Sequence, residues 1–317
     1  MKKRTIGRAA AAAAAAAGVF GAGSAALASF AVHGARYSGE ETIKNDLQDY
    51  PSLREYAPLA GNLQGTARYI VPGADGTPLH VQYYAGPAQS RRFVILVHGY
   101  TMNRFSMLKY MPIYMDMGYH CVIYDHRGHG DNDRREVCTF GGREAKDLIK
   151  IIEDTYARWG KDIFLGLHGE SLGTATLVTA LRYKPDIRFA VCDCGFADVI
   201  NVMKVGMKGM HLPQALVYPA SAASRVIYGE GFTNKRPIDS LSENQVPLCF
   251  IHGAKDDFIK PSNSERMWRA TQGYAELHLF PGAAHARSLF SDPVRYRRVV
   301  TDFVRRAQEM AEQKDGK

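Results

Sequence analysis

From residue 67 onward, short apolar runs alternate with stretches of helical period, and this alternation restricts the chain to few architectures. Phe93–Val97, His120–Tyr124, Ile163–Leu167, Ile187–Cys192, Leu248–Ile251 and Glu276–Phe280 have the length and composition of strands. Between two of them, Ala145, Leu148, Ile149, Ile152, Tyr156 and Trp159 recur at helical spacing, which predicts an amphipathic helix over residues 143–159. Ahead of the series, Arg68–Val71 and Leu79–Tyr84 flank the turn signal PGADGTP, which predicts a hairpin. Alternating strands and helices imply an α/β fold: a mostly parallel central sheet covered by helices on both faces. Ligands of such sheets bind beyond the carboxyl ends of the strands.

Residues 196–240 break the alternation, since they separate two strands by more than a simple connection needs. A small helical lid is expected there. Met203, Met207 and Met210 fall at i, i+4 and i+7, on one face of a helix expected over 198–210. Methionine is flexible and polarizable, so such a face suits an adaptable apolar pocket, although the same stripe serves equally to pack the lid on the body.

The segment FLGLHGESLGTAT, residues 164–176, joins a strand to a helix. Ser171 stands between Gly169 and Gly173 in the G-x-S-x-G spacing of a nucleophile elbow, whose sharp turn lifts a serine oxygen off the end of a sheet. The next helix points its N-terminus at the same spot, so the Leu172 N–H can face a developing oxyanion. The pattern is weak alone, because glycine and serine are common in turns. A serine hydroxyl also needs a base to take its proton, and that base an acid to orient it.

The rest of the chain supplies candidates in a consistent order. In VILVHGYTMN, residues 94–103, a His-Gly pair bends the chain so that the Tyr100 N–H can complete an oxyanion site. In PLCFIHGAKDDFIKP, residues 247–261, Asp256 is the first choice of acid and Asp257 its rival, with Asp193 a more distant candidate at the end of the preceding strand. LFPGAAHARSLF places His285 in a loop after the final strand, as the base. His126 and His129, in YDHRGHGDND, lack a distinctive metal-ligand spacing, and a structural pairing of Asp125 with Arg127 is the plainer expectation. His168 and His252 precede turns and are expected to bond backbone, and Glu170 reads as a solvent-facing or salt-bridged turn residue. No cofactor and no metal are expected.

HGYTMN, YDHRGHG, HGESLG, IHGAKDDFI and PGAAH, in this order, resemble the α/β-hydrolase superfamily, and most of all the serine-aminopeptidase-like hydrolases of Gram-positive bacteria, which often begin with a signal or anchor segment. The resemblance covers about residues 67–310 and implies the α/β-hydrolase fold with a Ser171–Asp256–His285 triad. Lys260 departs from it where many relatives carry proline, which leaves Asp256 in place.

Charge and cysteines narrow the setting. MKKRTIGR is a basic flank whose four positives carry half of the formal net charge of +8, and an uncharged run from Ala9 to Val32 follows. Ala26-Leu27-Ala28 fits a cleavage site, while 24 uncharged residues exceed the roughly 20 that span a bilayer, so a cleaved signal and a retained anchor both stand. Either way the chain is expected outside the cytoplasm, with membrane contact through this segment. Arg295, Arg297, Arg298, Arg305 and Arg306 read as a solvated helix face rather than a nucleic-acid surface. The five cysteines read as buried free thiols.

The expected organisation is a signal or anchor at 1–32, a polar spacer with one short helix at 33–66, and the hydrolase domain at 67–311 with its lid at 196–240. The expected function is an exported serine hydrolase acting on a small ester, less readily an amide, with an apolar acyl part. The alternative is a catalytically silent binding or scaffold protein on the same fold. Dehalogenation is disfavoured, because it would want a carboxylate at position 171.

Overall fold

The computed structural model of the protein describes residues 18, 20–33, 37–49, 65–133 and 135–315. The basic flank at 1–8 and residues 50–64 of the expected spacer lie outside them. The described residues build one eight-stranded sheet from β1 (Ala67–Pro72), β2 (Pro78–Tyr84), β3 (Arg92–Val97), β4 (His120–Tyr124), β5 (Phe164–Glu170), β6 (Phe189–Asp193), β7 (Leu248–Gly253) and β8 (Ala275–Phe280). Their order across the sheet is β1-β2-β4-β3-β5-β6-β7-β8. β1 and β2 form the expected antiparallel hairpin, with Ala67 opposite Tyr83 and Pro72 opposite Pro78. β2 joins β4 antiparallel, and every later pairing is parallel.

Parallel strands lie under helices on both faces, which is why β4, β6 and β7 are buried along their whole length. β3 shows how alternate side chains divide between two cores. Phe93, Ile95 and Val97 pack on one face with Leu148, Ile152, Leu177 and Val178. Val94 and Leu96 pack on the other with Tyr114, Phe303 and Val304. Those partners belong to α3 (Met111–Asp116), α4 (Arg143–Trp159), α5 (Leu172–Ala180) and the C-terminal helix Pro293–Asp315. Each fully buried aliphatic side chain contributes about 1.5–3 kcal/mol.

β3 has β4 on one side and β5 on the other, so strand order reverses there. Such a reversal leaves a crevice at the carboxyl ends of β3 and β5, where this topology places ligands. Above it sits the insertion between β6 and β7, whose main helices are α6 (Val199–Gly209) and α7 (Val217–Tyr228). Its Val199, Met207 and Val217 share a third core with Phe140, Leu172, Phe196 and Ile259.

The N-terminal region joins that third core. Residues 20–33 form a helix, α1, with Ala28 and Val32 buried and Leu27 and Ala31 packed against the cluster. The short α2 (Gly39–Asp49) lies against residues 104–109, where Asn103 Nδ2 donates to Thr42 Oγ1 at 2.7 Å. Among the described residues no helix is long and apolar enough to cross a membrane. The five cysteines are free and buried.

Candidate active site

Ser171 falls between β5 and α5 with φ +54° and ψ −111°, in a region that side chains other than glycine rarely enter. Its neighbours explain how the corner closes. A Cβ on Gly173 would lie 1.9 Å from the Val97 carbonyl oxygen, and one on Gly169 would lie 2.5 Å from the Gly173 backbone. Only glycine fits at either place. The Ser171 N–H donates to the Asp193 carbonyl at 2.9 Å, which ties the corner to β6.

Three of the sequence-predicted residues meet here. His285 Nε2 lies 3.1 Å from Ser171 Oγ, and His285 Nδ1 lies 2.7 Å from Asp256 Oδ2. Asp256 is buried in the loop after β7, where its Oδ1 accepts the N–H groups of Phe258 at 3.0 Å and Ile259 at 2.8 Å. Burial pushes its carboxyl up, but the bonds from His252, His285 and the Ile259 amide outweigh it and hold the group down at about 2. The carboxylate is therefore ionised at neutral pH and keeps a proton on His285 Nδ1, leaving Nε2 free to accept one from Ser171. The rival Asp257 is exposed.

The two expected oxyanion donors sit on either side. Leu172 opens α5 directly after Ser171. Gly99, next to Tyr100, lies so near the corner that a Cβ there would be 3.6 Å from that of Ser171. Tyr100, Ser171 and Leu172 all line one cavity of about 300 Å³. Val202, Met203, Met207 and Met210 of the insertion form its roof, so the methionine stripe faces the pocket as well as the core.

Several expectations need correction. Asp125 pairs with the buried Arg104, not with Arg127, whose guanidinium instead holds Asp147 at 2.7 Å and Asp75 at 2.9 Å. His168 bonds no backbone: its nitrogens meet the phenols of Tyr114 at 2.9 Å and Tyr296 at 3.2 Å. Of the two expectations for Glu170, the salt-bridged one holds and the solvent-facing one does not: it is buried, 2.7 Å from the ammonium of Lys109. Asp193 does not meet His285. It accepts from Tyr296 at 2.8 Å and Tyr110 at 3.1 Å, and burial, with Glu170 nearby, pushes its carboxyl up to about 6.

Sequence reasoning missed a second histidine at the acid. His252 Nε2 donates to the Ile259 carbonyl at 2.7 Å and approaches Asp256 Oδ2 at 3.2 Å, while Ser264 Oγ meets its Nδ1 at 2.7 Å. The expected backbone bond of His252 is the one to Ile259; its four-residue spacing from Asp256 singled out that aspartate in the sequence but not the contact between the two side chains. Among the described residues, Cys249, Glu276 and His278 are the one group of three whose candidate metal-ligand atoms all lie within 4.8 Å of one another. The Glu276 carboxylate already takes two bonds of 2.8 Å from Arg306, and burial pushes the Cys249 thiol up, away from the thiolate a metal would want.

A parallel sheet with a strained serine at its reversal point, faced by a histidine and a buried aspartate, defines a protein of the α/β-hydrolase class. The chain belongs to the α/β-hydrolase superfamily and is a hydrolase of that type. Residues 88–245 match the family model described as serine aminopeptidase, S33, and residues 204–313 match that of the dienelactone hydrolase family. The chain is 28% identical over 241 residues to the uncharacterized protein YqkD of Bacillus subtilis, covering 74% of this chain and 78% of the relative. Among solved structures, the Pyrococcus furiosus esterase Pf2001 superposes with a TM-score of 0.61 at 22% identity, over 75% of this chain and 90% of that one. A putative aryl esterase from Burkholderia cenocepacia gives 0.56 at 26% identity, over 76% and 99%.

Proposed function

We propose that the protein is an exported serine hydrolase that cleaves a small ester, less readily an amide, through an acyl-enzyme. The observation that carries this reading is His285, which spans Ser171 at 3.1 Å and Asp256 at 2.7 Å. Ser171 Oγ attacks the substrate carbonyl carbon while His285 Nε2 takes its proton. The Tyr100 and Leu172 N–H groups hold the oxyanion as the tetrahedral intermediate forms. Collapse breaks the bond to the leaving group, which departs with the proton from His285. Water then adds to the acyl-Ser171 carbonyl, giving its proton to His285, and the second collapse releases the acid and restores Ser171. Esterases among the structural relatives support the ester preference, and the apolar cavity supports an apolar acyl part.

A fluorophosphonate probe tests the nucleophile: wild type is labelled and Ser171→Ala is not. Labelling that persists in Ser171→Ala would remove Ser171 from the mechanism, and no labelling at all would favour a silent scaffold. A panel of p-nitrophenyl esters and aminoacyl anilides then ranks ester against amide. Export rests on the basic flank and the uncharged run after it, and fractionation that finds the protein in the cytosol would sink it.

A further inference from the structure

By sequence, the N-terminal hydrophobic segment is an address or an anchor. In the fold, three of its residues, Leu27, Phe30 and Ala31, line the same cavity as Ser171. We propose that α1 is a wall of the acyl subsite that limits the acyl length the enzyme accepts, and that it stays with the mature protein. This rests on the serine-hydrolase reading above and adds a specificity element to it.

The contacts are those of a built part. Ala28 and Val32 are buried, so the helix turns a packed face to the body. The Val32 carbonyl accepts from the Cys138 N–H at 3.0 Å, and the Ala31 carbonyl accepts from the Tyr100 hydroxyl. His33 meets Tyr228 of α7 edge-on, with ring centroids 5.4 Å apart. Further along, the Tyr37 carbonyl accepts from Asn103 Nδ2 at 3.0 Å. Tyr100 thus serves twice: its amide is the candidate oxyanion donor and its phenol is bonded to α1.

Met203 and Met207 of α6, Met210 just after it, three residues of α1, and Tyr100 and Phe140 all line the cavity. At its rim Phe30, Phe258 and Met210 are 62%, 42% and 39% exposed, an apolar margin suited to an incoming acyl chain. Cleavage after Ala28 would cut α1 at a buried residue and remove Leu27 from the wall. The mature chain should therefore begin upstream of α1, not at Ser29.

Substitutions in the wall should move the acyl-length optimum in opposite directions. Each methylene that finds apolar contact should raise kcat/KM about four-fold until the pocket is full. Ala31→Phe takes up space and should lower the ratio of kcat/KM for octanoyl to that for acetyl p-nitrophenyl esters at least about ten-fold. Leu27→Ala adds space and should shift the optimum to longer chains. Both are measured on the full-length protein alongside a fluorophosphonate whose alkyl tail ends in a diazirine. After irradiation, the probe held at Ser171 should cross-link into the tryptic peptide Ala9–Arg36, a readout that needs no variant to fold. Unchanged length profiles in both folded variants, cross-links confined to lid and body peptides, or a mature N-terminus at Ser29 would each overturn the inference. Failure of the probe to label Ser171 would overturn the serine-hydrolase reading, and this inference with it.

Discussion

Replacing Asp256 by asparagine tests the proposed triad at its most constrained member. Four donors converge on the carboxylate: His285 Nδ1 at 2.7 Å and His252 Nε2 at 3.2 Å on Oδ2, and two backbone N–H groups at 3.0 and 2.8 Å on Oδ1. An amide offers one acceptor oxygen and two donor hydrogens. If its oxygen keeps the backbone pair, its NH₂ points at His285 Nδ1 and forces the proton onto Nε2. His285 then presents a donor to Ser171 where an acceptor is needed. Turnover should fall by about 10⁴-fold, or about 5.5 kcal/mol of barrier, as expected for the wrong tautomer. Acid stability supplies an independent readout. The Asp256 carboxyl is lowered from 3.8 to about 2, so its contribution is present above about pH 4 and lost as pH falls toward 2. That lowering corresponds to about 2.5 kcal/mol at most, so Asp256→Asn should flatten the acid limb of unfolding free energy between those limits. The assays are kcat with a p-nitrophenyl ester and urea melts from pH 2 to 5. Loss of less than ten-fold in Asp256→Asn, with a crippling Asp257→Asn, would refute the assignment.

Gly173→Ala should destabilise the protein by about 1–3 kcal/mol in urea denaturation, because its Cβ would lie 1.9 Å from the Val97 carbonyl oxygen and a backbone must shift. Lys109→Met leaves Glu170 buried without its 2.7 Å partner and should cost about 3–5 kcal/mol, whereas Lys109→Met with Glu170→Gln should recover much of it; a double variant no better than the single would discount the pair. Met207→Ser places a hydroxyl in the cavity roof and should lower kcat/KM for octanoyl more than for acetyl esters, so a profile parallel to wild type would mean that this side chain serves the core alone.

The parts of this architecture that depend on local pattern were legible. Helical spacing marked residues 143–159, the bounds of α4, and continuous apolar runs marked the buried parallel strands. Ser171, Asp256 and His285 were readable as candidates because chain order and turn residues are local features, and the fold brings them within hydrogen-bond reach. Pairings were not legible, because charge complementarity along a chain does not say which partner arrives in space. Asp125 and Arg127 are two residues apart, yet each pairs across the fold, with Arg104 and Asp147 respectively. Glu170 read as solvent-facing or salt-bridged, and its partner was not legible because nothing near it in sequence reveals that Lys109 comes to meet it in the interior. The place of α1 was hidden for a different reason: an alanine- and glycine-rich run has the same composition whether its neighbour is lipid or protein.

The separations between contacting groups have a consequence for when activity begins. Ser171 and His285 lie 114 residues apart, and α1 shares a core with side chains as distant as Phe232 and Ile259. During synthesis the amino-terminal helix therefore emerges long before the surface that receives it exists, which leaves it open to serve the proposed export before it packs. The proposed base is made last, after nearly nine-tenths of the chain. On the proposed mechanism every chain that stops short of His285 is inert, so hydrolysis starts only once this last catalytic group has been made and has found its place beside Ser171.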